Sequence, residues 1–415
     1  MKIAVIGSGI SGLSSAYYLS KNHKVDLFEK ENQFGGHAHT IDIPHHQDPN
    51  KKIPIDIGFI VFNLKTYPNL INFFKENDVE IEKSNMSFSV KVENTNIEYC
   101  GKGLNGIFSR RKNLLNPSFL KMFLEIIMFY KKCSNLKKID NDITLREFLN
   151  KNKLSKYFIN YHIIPMVSAI WSMPPKESGM MPMKFFLNFF QNHGLFKIRN
   201  RPQWFTVKNR SRTYVDKILK KISGEHYKNY NINKIKRNSN GIQIYYGEIN
   251  EFFDYDKVII ATHADEALNL IEDPTDEEKK ILSSFKYKKN TVVIHTDEDV
   301  MPNLRRSWSS WNSYIIDSTK PQSSITYWLN LLENLEYDQN LFLTMNPIMK
   351  INSEKVLRKV DFMHPYYDHQ SLIDQNKLKF IQNKKNLLFC GSYFGYGFHE
   401  DGIKSSLEMI KFIDD

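Results

Sequence analysis

The most constraining feature of the chain is a glycine pattern that lies between two apolar runs near its start. Residues 2–7 (KIAVIG) have the composition of a buried parallel strand, and residues 24–29 (KVDLFE) have that of a second one. Residues 11–21 between them predict a helix with small residues on its early face. The glycines are Gly7, Gly9 and Gly12, spaced as G-x-G-x-x-G. The pattern predicts a βαβ unit that binds a dinucleotide.

Each of the three glycines has its own physical reason in such a unit. Gly7 permits the tight turn, Gly9 lets the backbone approach a pyrophosphate, and Gly12 lets the helix pack closely on the strand. The helix begins near Ile10 and Ser11, whose turn offers free N–H groups and the positive end of the helix dipole. We therefore expect the phosphates of the ligand at this turn.

The acid that ends the second strand completes the pattern. Glu29 lies seventeen residues beyond Gly12, close to the spacing of about 20 that is typical of a ribose-binding acid. Its carboxylate suits a ribose diol and would repel a 2′-phosphate, which disfavours NADP. No second G-x-G-x-x-G follows a strand, so we expect no separate NAD(P)H domain.

Two further strand-like runs indicate that the nucleotide-binding domain is discontinuous. Residues 256–263 (DKVIIATH) and the run that begins at Leu387 resemble buried strands, each followed by a turn and a helix. A chain of 415 residues is long enough for two domains. We predict an α/β fold with a Rossmann-like domain and an inserted α+β substrate domain. The predicted ranges are 1–80, 205–270 and 385–415 for the nucleotide-binding domain and 81–204 and 271–384 for the substrate domain.

The composition is that of a globular protein, with 41% hydrophobic and 25% charged residues. We expect no transmembrane helix, because no apolar run reaches about 18 residues, and no cleaved leader. Three distant cysteines argue against a disulfide framework and favour a cytoplasmic protein. The histidines, such as His45 and His46, show no zinc spacing, so no metal site is predicted.

The net charge of +11 is unevenly distributed along the chain. Residues 101–138 contain nine Lys or Arg and one acid, Glu125. Within this stretch, residues 117–133 combine helical periodicity, bulky apolar side chains and lysines. Two interpretations stay open: an ordinary core helix beneath a solvated basic face, or an amphipathic surface that meets lipid at the inner membrane surface. Nucleic-acid binding is disfavoured because the basic run contains bulky aliphatics and no RNA-binding motif.

The continuation of the first βαβ unit favours FAD over NAD. Residues 29–40 place a second glycine pair, Gly35 and Gly36, shortly after the ribose acid. The chain here resembles the flavin-containing amine oxidase and phytoene desaturase superfamily, in particular a bacterial FAD-binding, amine-oxidase-like subgroup linked to fatty acyl modification. It departs from the family pattern at His37, where an arginine is usual.

The resemblance extends over nearly the whole chain and implies noncovalent FAD. Cys390 lies inside a predicted strand and not at the family's cysteinyl-flavin position. The matching segments are residues 56–63, 206–218, 230–235, 256–263 and 397–406. Besides Gly7, Gly9, Ile10, Ser11, Gly12 and Glu29, the resemblance implies FAD contacts at Lys30, Gly35, Gly36, His37, Thr40, Gly58, Ile232, Ala261, Thr262, Gly391, Ser392, Glu400, Asp401 and Gly402.

The inserted domain is expected to hold the substrate between aromatic walls with a few polar tips. Arg305 and Arg306 are candidates to grip a carboxylate or phosphate, with surface ion pairing as the alternative. The candidate walls are Trp308, Trp311, Tyr327 and Trp328, for which core packing is the alternative. The candidate catalytic residues are His399, Glu400 and Trp171, with cofactor positioning as the alternative role of His399 and Glu400. His364 is interpreted as structural.

These features predict an FAD-dependent oxidoreductase that acts on a long apolar substrate. The resemblance favours desaturation or double-bond isomerisation of fatty acyl lipids by a protein able to visit the membrane. A flavin-containing amine oxidase and then a carotenoid-type desaturase are the alternatives. A flavin-binding protein without turnover is the non-enzymatic alternative, and the oligomeric state is left open.

Overall fold

A computed structural model of the chain describes residues 1–48, 50–139, 143–198, 200–239, 241–247, 251–317 and 321–413. Within these ranges the chain forms twenty strands and fifteen α-helices. The strands, in chain order, are β1 Lys2–Ile6, β2 Lys24–Glu29, β3 Thr40–Pro44, β4 Lys52–Asp56, β5 Phe62–Asn63, β6 Ile81–Ser84, β7 Phe88–Val92, β8 Glu98–Cys100, β9 Trp204–Val207, β10 His226–Lys228, β11 Ile232–Asn238, β12 Gly241–Tyr246, β13 Glu251–Tyr255, β14 Lys257–Ile260, β15 Lys286–His295, β16 Trp311–Ile316, β17 Gln322–Trp328, β18 Phe342–Met345, β19 Val356–Tyr366 and β20 Leu387–Phe389.

The helices are distributed over the whole chain and are densest between β8 and β9. In chain order they are α1 Ile10–Leu19, α2 Pro68–Glu76, α3 Gly103–Ile107, α4 Pro117–Asn135, α5 Leu145–Lys151, α6 Lys156–Phe158, α7 Ile164–Trp171, α8 Pro175–Met180, α9 Met183–Asn192, α10 Arg212–Leu219, α11 Ala264–Leu270, α12 Asp276–Leu282, α13 Leu329–Leu332, α14 His369–Gln375 and α15 His399–Ile410. A π-helical turn, Ile159–Ile163, joins α6 to α7. Short 3-10 turns cover Arg111–Leu115, Glu298–Val300, Arg305–Ser307, Ser353–Lys355, Leu378–Ile381 and Ser392–Phe394.

A parallel sheet of five strands gathers segments that are far apart in sequence. Its order is β10-β2-β1-β14-β20, and every neighbouring pair is parallel. The central strands β1 and β14 are almost completely buried, as the continuous apolar runs predict for a sheet covered on both faces. The carboxyl ends of parallel strands meet at one edge, so the loops after β1, β2, β14 and β20 lie together there.

A second, seven-stranded sheet has the order β19-β15-β18-β17-β16-β7-β8. It is antiparallel except where β16 runs parallel to β7. Three small sheets complete the fold, with orders β11-β12-β13, β3-β4 and β5-β9-β6. Helices α4 to α9 form a separate layer whose apolar cluster includes Phe129, Phe186 and Phe190. A large cavity lies among the parallel sheet, the seven-stranded sheet and this helical layer.

The final helix packs against the first one and closes the parallel-sheet region. Helix α1 presents small residues to α15, and Ser15 Oγ lies 2.7 Å from Ser406 Oγ. Gly402 of α15 is in close contact with α1, because a Cβ there would lie 2.7 Å from Ile10 Cγ2. The start and the end of the chain therefore share one wall of the site. Among the described residues, no helix is long and apolar enough to span a membrane.

Candidate functional site

One cavity of about 770 Å³ extends from the glycine loop after β1 to the inner face of the seven-stranded sheet. The loops at the carboxyl edge of the parallel sheet line one end. The other end is lined by aromatic, aliphatic and histidine side chains from the helical layer and the second sheet. Those at the second end are Trp171, Phe189, His193, Trp311, Tyr327, Leu343, Met345, Val360, Phe362, His364 and Phe398.

The three glycines of the first loop differ in the space around them. A Cβ on Gly12 would lie 1.8 Å from the carbonyl oxygen of Gly7, so only glycine permits this approach of helix to loop. Gly7 has φ +96°, which a side chain rarely adopts. A Cβ on Gly9, by contrast, would have no atom of the described chain within 4 Å. Gly9 lines the cavity, so the open space at its Cα is available to a ligand.

Glu29 lies at the cavity edge, where the loop after β1 orients its carboxylate. Its Oε2 accepts hydrogen bonds from Ser8 N at 3.0 Å and Ser8 Oγ at 2.5 Å. Its Oε1 accepts from Glu31 N at 3.0 Å. The neighbouring Lys30 is paired with Glu266 of α11 at 2.6 Å. Glu29, Lys30 and Glu266 line the same end of the cavity as Ile232. The charged groups therefore gather where the ribose is expected.

The second glycine pair brings another loop against the first one. Gly36 has φ +57°, and a Cβ there would lie 2.9 Å from the Cα of Gly9. Gly35 N donates to Ser8 Oγ at 3.0 Å, so Gly35 fixes the loop but does not line the cavity. A Cβ on Gly58 would lie 2.3 Å from the carbonyl oxygen of His37, which requires glycine beside the β3–β4 hairpin. Gly36, His37 and Gly58 all line the cavity.

The loops after β14 and β20 complete this edge. Ala261 and Thr262 line the cavity, and Ala261 packs against Gly7. Gly391 and Ser392 line it from the C-terminal segment, and Gly391 N donates to Ser405 Oγ of α15 at 2.9 Å. Loops from three separated segments of the chain, after β1 and β2, after β14 and after β20, therefore meet at one cavity.

At the start of α15 the two catalytic candidates have different environments. His399 lines the cavity, stacks on Phe59 with ring centroids 3.6 Å apart, and places Nε2 3.2 Å from Tyr214 Oη. Burial lowers the pKa of His399 to about 3, so the ring is neutral at pH 7. Glu400 accepts from Asn69 N, Asn69 Nδ2 and Leu70 N at 2.7–3.1 Å and so caps α2.

Asp401 and Gly402 act beneath the cavity and not at its surface. Asp401 Oδ2 accepts from Phe398 N at 3.0 Å, and burial raises its pKa to about 6. Gly402 contacts α1. Glu400, Asp401 and Gly402, which were expected to contact the flavin, are absent from the lining, whereas the catalytic candidate His399 belongs to it. We expected the acids at the start of α15 to contact the flavin. In the structure, Glu400 caps α2 and Asp401 caps α15.

Thr40 is likewise structural. Its Oγ1 donates to Asp56 Oδ1 at 2.6 Å, and it accepts from Arg212 N at 3.0 Å. Asp56 also accepts from Ser211 N at 2.8 Å, which ties the β3–β4 hairpin to the start of α10. Thr40 is buried in this network and does not line the cavity.

The predicted substrate residues divide between the two faces of the seven-stranded sheet. Trp311 of β16 pairs with Tyr327 of β17, and both line the cavity. Trp328 is the next residue of β17, so its side chain points to the opposite face. There its ring centroid lies 5.4 Å from that of Trp308. The Arg305 guanidinium carbon lies 3.6 Å from the centroid of the Trp308 ring.

The arginine pair therefore does not reach the cavity. Arg305 stacks on tryptophans, and Arg306 is exposed on the same 3-10 turn. Strand alternation is the physical reason, because one face of β17 cannot present both Tyr327 and Trp328. The expected grip on a substrate head group is not present at the described end of the cavity.

Trp171 ends α7 and belongs to an aromatic wall. Its ring lies 4.6 Å from Phe189, and its Nε1 donates to the carbonyl oxygen of Tyr396 at 3.3 Å. Phe189 in turn stacks on Phe398 at 5.1 Å. The indole N–H is thus occupied, and Trp171 contributes an apolar surface. Its contacts identify it as a wall residue.

The second end of the cavity is nearly free of formal charge. The charged residues of the lining are Glu29, Lys30, Glu31, Glu266 and Asp361. The first four lie at the glycine-loop end, and Asp361 is paired with Lys289 at 2.8 Å. Burial lowers the pKa of His364 and His193 to about 4, so both are neutral at pH 7. This end suits an uncharged ligand.

A hydrogen-bond chain fixes the tautomer of His364. The backbone N–H of Thr291 can only donate, and it donates a hydrogen bond to Asn346 Oδ1 at 3.0 Å. Asn346 Nδ2 then donates to Asn290 Oδ1 at 2.6 Å, and Asn290 Nδ2 donates to His364 Nδ1 at 2.8 Å. Because Nδ1 accepts, neutral His364 carries its proton on Nε2. His364 lines the cavity beside His37, with ring centroids 5.3 Å apart.

Most of these wall residues were not among the predicted substrate residues, and His364 was interpreted as structural. Val360, Phe362 and His364 are half-buried along β19, while Asp361 and Met363 between them are exposed. This alternation was readable as one face of a strand. Phe189 and Phe398 carry no comparable signal, because an aromatic residue of a core helix looks the same in sequence. Away from the cavity, the half-buried His45 and the exposed His46 and Asp338 place potential ligand atoms within 4.8 Å of one another.

The lining residues fit a flavin dinucleotide. The open approach at Gly9 suits a pyrophosphate, and the oriented Glu29 carboxylate suits a ribose. Two buried polar atoms of the lining, Trp311 Nε1 and Tyr393 Oη, have no hydrogen-bond partner within the described chain. Orphaned polar groups of this kind are uncommon in a closed core. Both atoms belong to residues of the lining, which is consistent with a ligand that has polar edges.

Comparison with known proteins agrees with this geometry. Residues 5–76 match the family model described as an NAD(P)-binding Rossmann-like domain. A protoporphyrinogen oxidase of Dictyostelium discoideum is 43% identical over 68 residues, which are 14% of this chain and 13% of that protein. Prenylcysteine oxidase 1 of Mus musculus is 27% identical over 196 residues, which are 40% of this chain and 37% of that protein. The chain thus spans well under half the length of these relatives.

Solved structures resemble the chain over its full length. A CLA-producing fatty acid isomerase from P. acnes has a TM-score of 0.67 at 13% identity, covering 99% of this chain and 97% of that one. Cyclohexylamine oxidase from Brevibacterium oxydans IH-35A has a TM-score of 0.68 at 12% identity, covering 100% and 99%. The chain shares the fold of these enzymes. The predicted α/β fold of the flavin amine oxidase type is confirmed.

Proposed function

We propose that the protein is an FAD-dependent oxidoreductase or isomerase that acts on a long apolar substrate, with fatty acyl lipids as the substrate class. The observation that carries this proposal is the continuous cavity that joins a dinucleotide-type loop to an aromatic wall nearly free of charge. The fold of enzymes that include a fatty acid isomerase supports it. The relatives named after oxidases support a redox cofactor.

The residues that would hold FAD follow from their places in the lining. The loop Gly7-Ser8-Gly9 and the start of α1 face the pyrophosphate, and Glu29 faces the ribose. Gly36, His37, Gly58, Gly391 and Ser392 line the part of the cavity that leads to the aromatic wall. When bound, FAD supplies hydride acceptance and return at a C–H bond next to an activating group.

The chain's own contribution at the far end is to hold an apolar substrate and to exclude water. Leu343, Met345, Val360 and Phe362 of the sheet oppose Trp171 and Phe189 of the helical layer. Neutral histidines at this end add hydrogen-bonding capacity without charge. Burial lowers the pKa of His364 to about 4, so the ring is neutral near pH 7. The remaining N–H of this neutral ring, on Nε2, can donate a hydrogen bond to an oxygen.

The charge distribution favours an acyl chain whose head group stays outside the aromatic end. A free carboxylate placed against this wall would find no lysine or arginine among the described lining residues there. An esterified acyl chain, such as that of a phospholipid, has no charge to neutralise at its reacting bond. Lipid-linked acyl chains are therefore the preferred form of the substrate.

An amine oxidase is the second candidate, because aromatic rings surround the far end of the cavity. Trp171, Phe189 and Phe398 lie within 6.5 Å of one another by ring centroids. Such a wall would accept a neutral amine, and the shared fold with cyclohexylamine oxidase favours this candidate. Among the described lining residues, the one carboxylate at this end is that of the lysine-paired Asp361.

A substrate screen on the holoprotein separates the candidates. The protein is mixed anaerobically with phospholipids that carry polyunsaturated chains, with the free fatty acids, and with monoamines and polyamines. Loss of flavin absorbance, or a shifted double bond by mass spectrometry, is expected with the phospholipids. Bleaching by amines alone, with hydrogen peroxide in air, would instead establish the amine oxidase.

A pair of variants links the screen to the cavity. Leu343→Trp adds volume to the apolar wall and is expected to lower turnover by at least about tenfold while FAD remains bound. Trp308→Phe changes the opposite face of the same sheet and is expected to retain turnover. Equal losses in both variants would show that the wall does not receive the substrate.

A further inference from the structure

Helix α4 has two faces of different character. The inward face packs into the core, with Phe119, Met122, Phe129 and Cys133 buried. The outward face carries a set that we name the α4 stripe: Lys121, Leu124, Ile127, Met128 and Lys131. These positions recur at three and four residues, so they follow one side of the helix over about 15 Å. Met128 is 69% exposed and Leu124 is 59% exposed.

Exposed leucines continue this apolar surface toward the N-terminus of α4. Leu115, immediately before the helix, is 87% exposed, and Leu104 on α3 is 70% exposed. Leu114 is also exposed. Isolated exposed apolar residues are common on proteins, but this segment collects six within 25 residues (Leu104, Leu114, Leu115, Leu124, Ile127, Met128). Such clustering marks an interaction surface.

The charges around the stripe have one sign. The only acid of residues 101–138, Glu125, is buried and accepts a hydrogen bond from Ser155 N at 3.0 Å. The exposed cations of this segment are Lys102, Arg111, Lys112, Lys121, Lys131, Lys132, Lys137 and Lys138. Among the ion pairs of the described residues, none includes these side chains (Arg110 alone pairs, with Glu98). The surface is therefore cationic and apolar together.

We propose that the α4 stripe and the leucines before it dock the protein on the surface of an anionic phospholipid bilayer. Leucine and methionine side chains can enter the boundary between head groups and acyl chains while the helix lies in the plane of the membrane. Lysines at both ends of the stripe meet lipid phosphates. Nucleic acid would use the cations but would leave the exposed leucines in contact with water.

The position of α4 relative to the cavity deepens the proposed function, on which this part of the inference rests. Gln191 of α9 donates through Nε2 to the carbonyl oxygens of Cys133 and Leu136, at 2.7 and 3.0 Å. Phe189, two residues earlier and so on roughly the opposite side of the same helix, lines the cavity. The docking face and the apolar wall are thus two sides of one helical layer, so a bilayer lipid would lie next to the wall that receives it.

Vesicle sedimentation of the full-length protein tests the docking. Wild-type protein is expected to sediment with vesicles of equal parts phosphatidylcholine and phosphatidylglycerol, and much less with pure phosphatidylcholine. Leu124→Ser with Met128→Ser is expected to weaken binding by at least about tenfold. Lys121→Glu with Lys131→Glu is expected to weaken it on the order of 30-fold, and raised salt should weaken wild-type binding as well.

Matched controls carry the same chemical changes elsewhere on the surface. Leu357→Ser with Phe380→Ser removes two exposed apolar residues, and Lys350→Glu with Lys359→Glu makes the same change of charge. Both controls are expected to bind like wild type. Equal losses in the controls would reduce the effect to net charge and hydrophobicity and would overturn the assigned surface.

Other occupants of the surface give different results. Retention on duplex DNA that the lysine variant abolishes and the apolar variant does not would identify a nucleic-acid surface. A wild-type dimer that the apolar variant converts to a monomer, without vesicle binding, would identify a second copy of this chain. Either result overturns the docking proposal. Vesicle binding needs no turnover, so it can succeed even if the substrate screen fails, and the two proposals fail separately.

Discussion

The two glycines Gly9 and Gly12 show how one motif separates ligand contact from folding. Gly12 packs against the chain itself, because the carbonyl oxygen of Gly7 occupies the space that a Cβ of residue 12 would need. A Cβ added to Gly9, by contrast, would meet no described atom within 4 Å. Packing therefore requires a glycine at position 12. A glycine at position 9 is required only if a ligand lies against the backbone.

This difference predicts opposite results for two substitutions. Gly12→Val is expected to lower the free energy of unfolding by about 3 kcal/mol, because the added atoms clash with the loop. Gly9→Ala is expected to cost about 1 kcal/mol or less and to weaken FAD binding by at least about tenfold. Urea unfolding and flavin titration measure the two quantities. Normal FAD affinity in Gly9→Ala would show that no ligand approaches there.

The tautomer of His364 is a second prediction at this scale. Because Asn290 donates to Nδ1, neutral His364 should carry its proton on Nε2. Nitrogen-15 NMR of labelled imidazole is expected to show this tautomer at pH 7 and a pKa near the value of about 4 that burial produces. Asn290→Leu removes the donor and should allow the Nδ1–H form. An Nδ1–H signal in wild-type protein would contradict the hydrogen-bond chain.

At the scale of elements, α15 and α2 are joined by one carboxylate. Glu400, in the first turn of α15, accepts from the backbone N–H groups of Asn69 and Leu70 at the start of α2. The same carboxylate therefore meets the N-terminal ends of two helices, where negative charge is favourable. Its role is to hold α15 in place beneath the cavity.

A conservative substitution tests this role against a catalytic one. Glu400→Gln is expected to lower the free energy of unfolding by about 1 kcal/mol and to leave kcat of the folded holoprotein unchanged. Glu408→Gln on the same helix is the control, since Glu408 is exposed and lies 3.9 Å from Lys404. A loss of kcat without loss of stability would restore Glu400 as a catalytic candidate.

The elements also show how far the sequence could predict the site. The βαβ pattern identified the loops at the sheet edge because glycine and acid spacing is local information. Which face of β17 meets the cavity depends on distant segments, so Tyr327 and Trp328 were both predicted to line the substrate site. Strict alternation along β17 already excluded that, and only the register with Trp311 shows which of the two faces the cavity. Capping by Glu400 depends on α2, which is 330 residues away.

At the scale of the whole molecule, buried histidines outside the cavity link folding to pH. His162 lies between Tyr99 Oη at 3.0 Å and Tyr130 Oη at 2.9 Å in the helical layer. Burial lowers its pKa from 6.5 to about 3. Between these values the unfolded chain binds a proton that the native chain does not bind, so stability falls as pH falls through this window.

Removing this group should flatten the pH dependence of stability. For His162→Gln, the slope of the unfolding free energy between about pH 6 and pH 4 is expected to fall by up to about 1.4 kcal/mol per pH unit. Urea unfolding of the variant and of wild type at both pH values measures it. The exposed His46→Gln is the control and should keep the wild-type slope. An unchanged slope in His162→Gln would show that the native protein already protonates His162.

The molecule as a whole is organised around the cavity that distant segments enclose, and FAD binding is its central claim. Titration of the flavin-free protein with FAD, followed by calorimetry, tests this claim most directly. We predict saturation at one FAD per chain, with binding weakened in Gly9→Ala. A correctly folded wild-type chain that gives no binding heat and remains colourless after FAD is added would contradict the account.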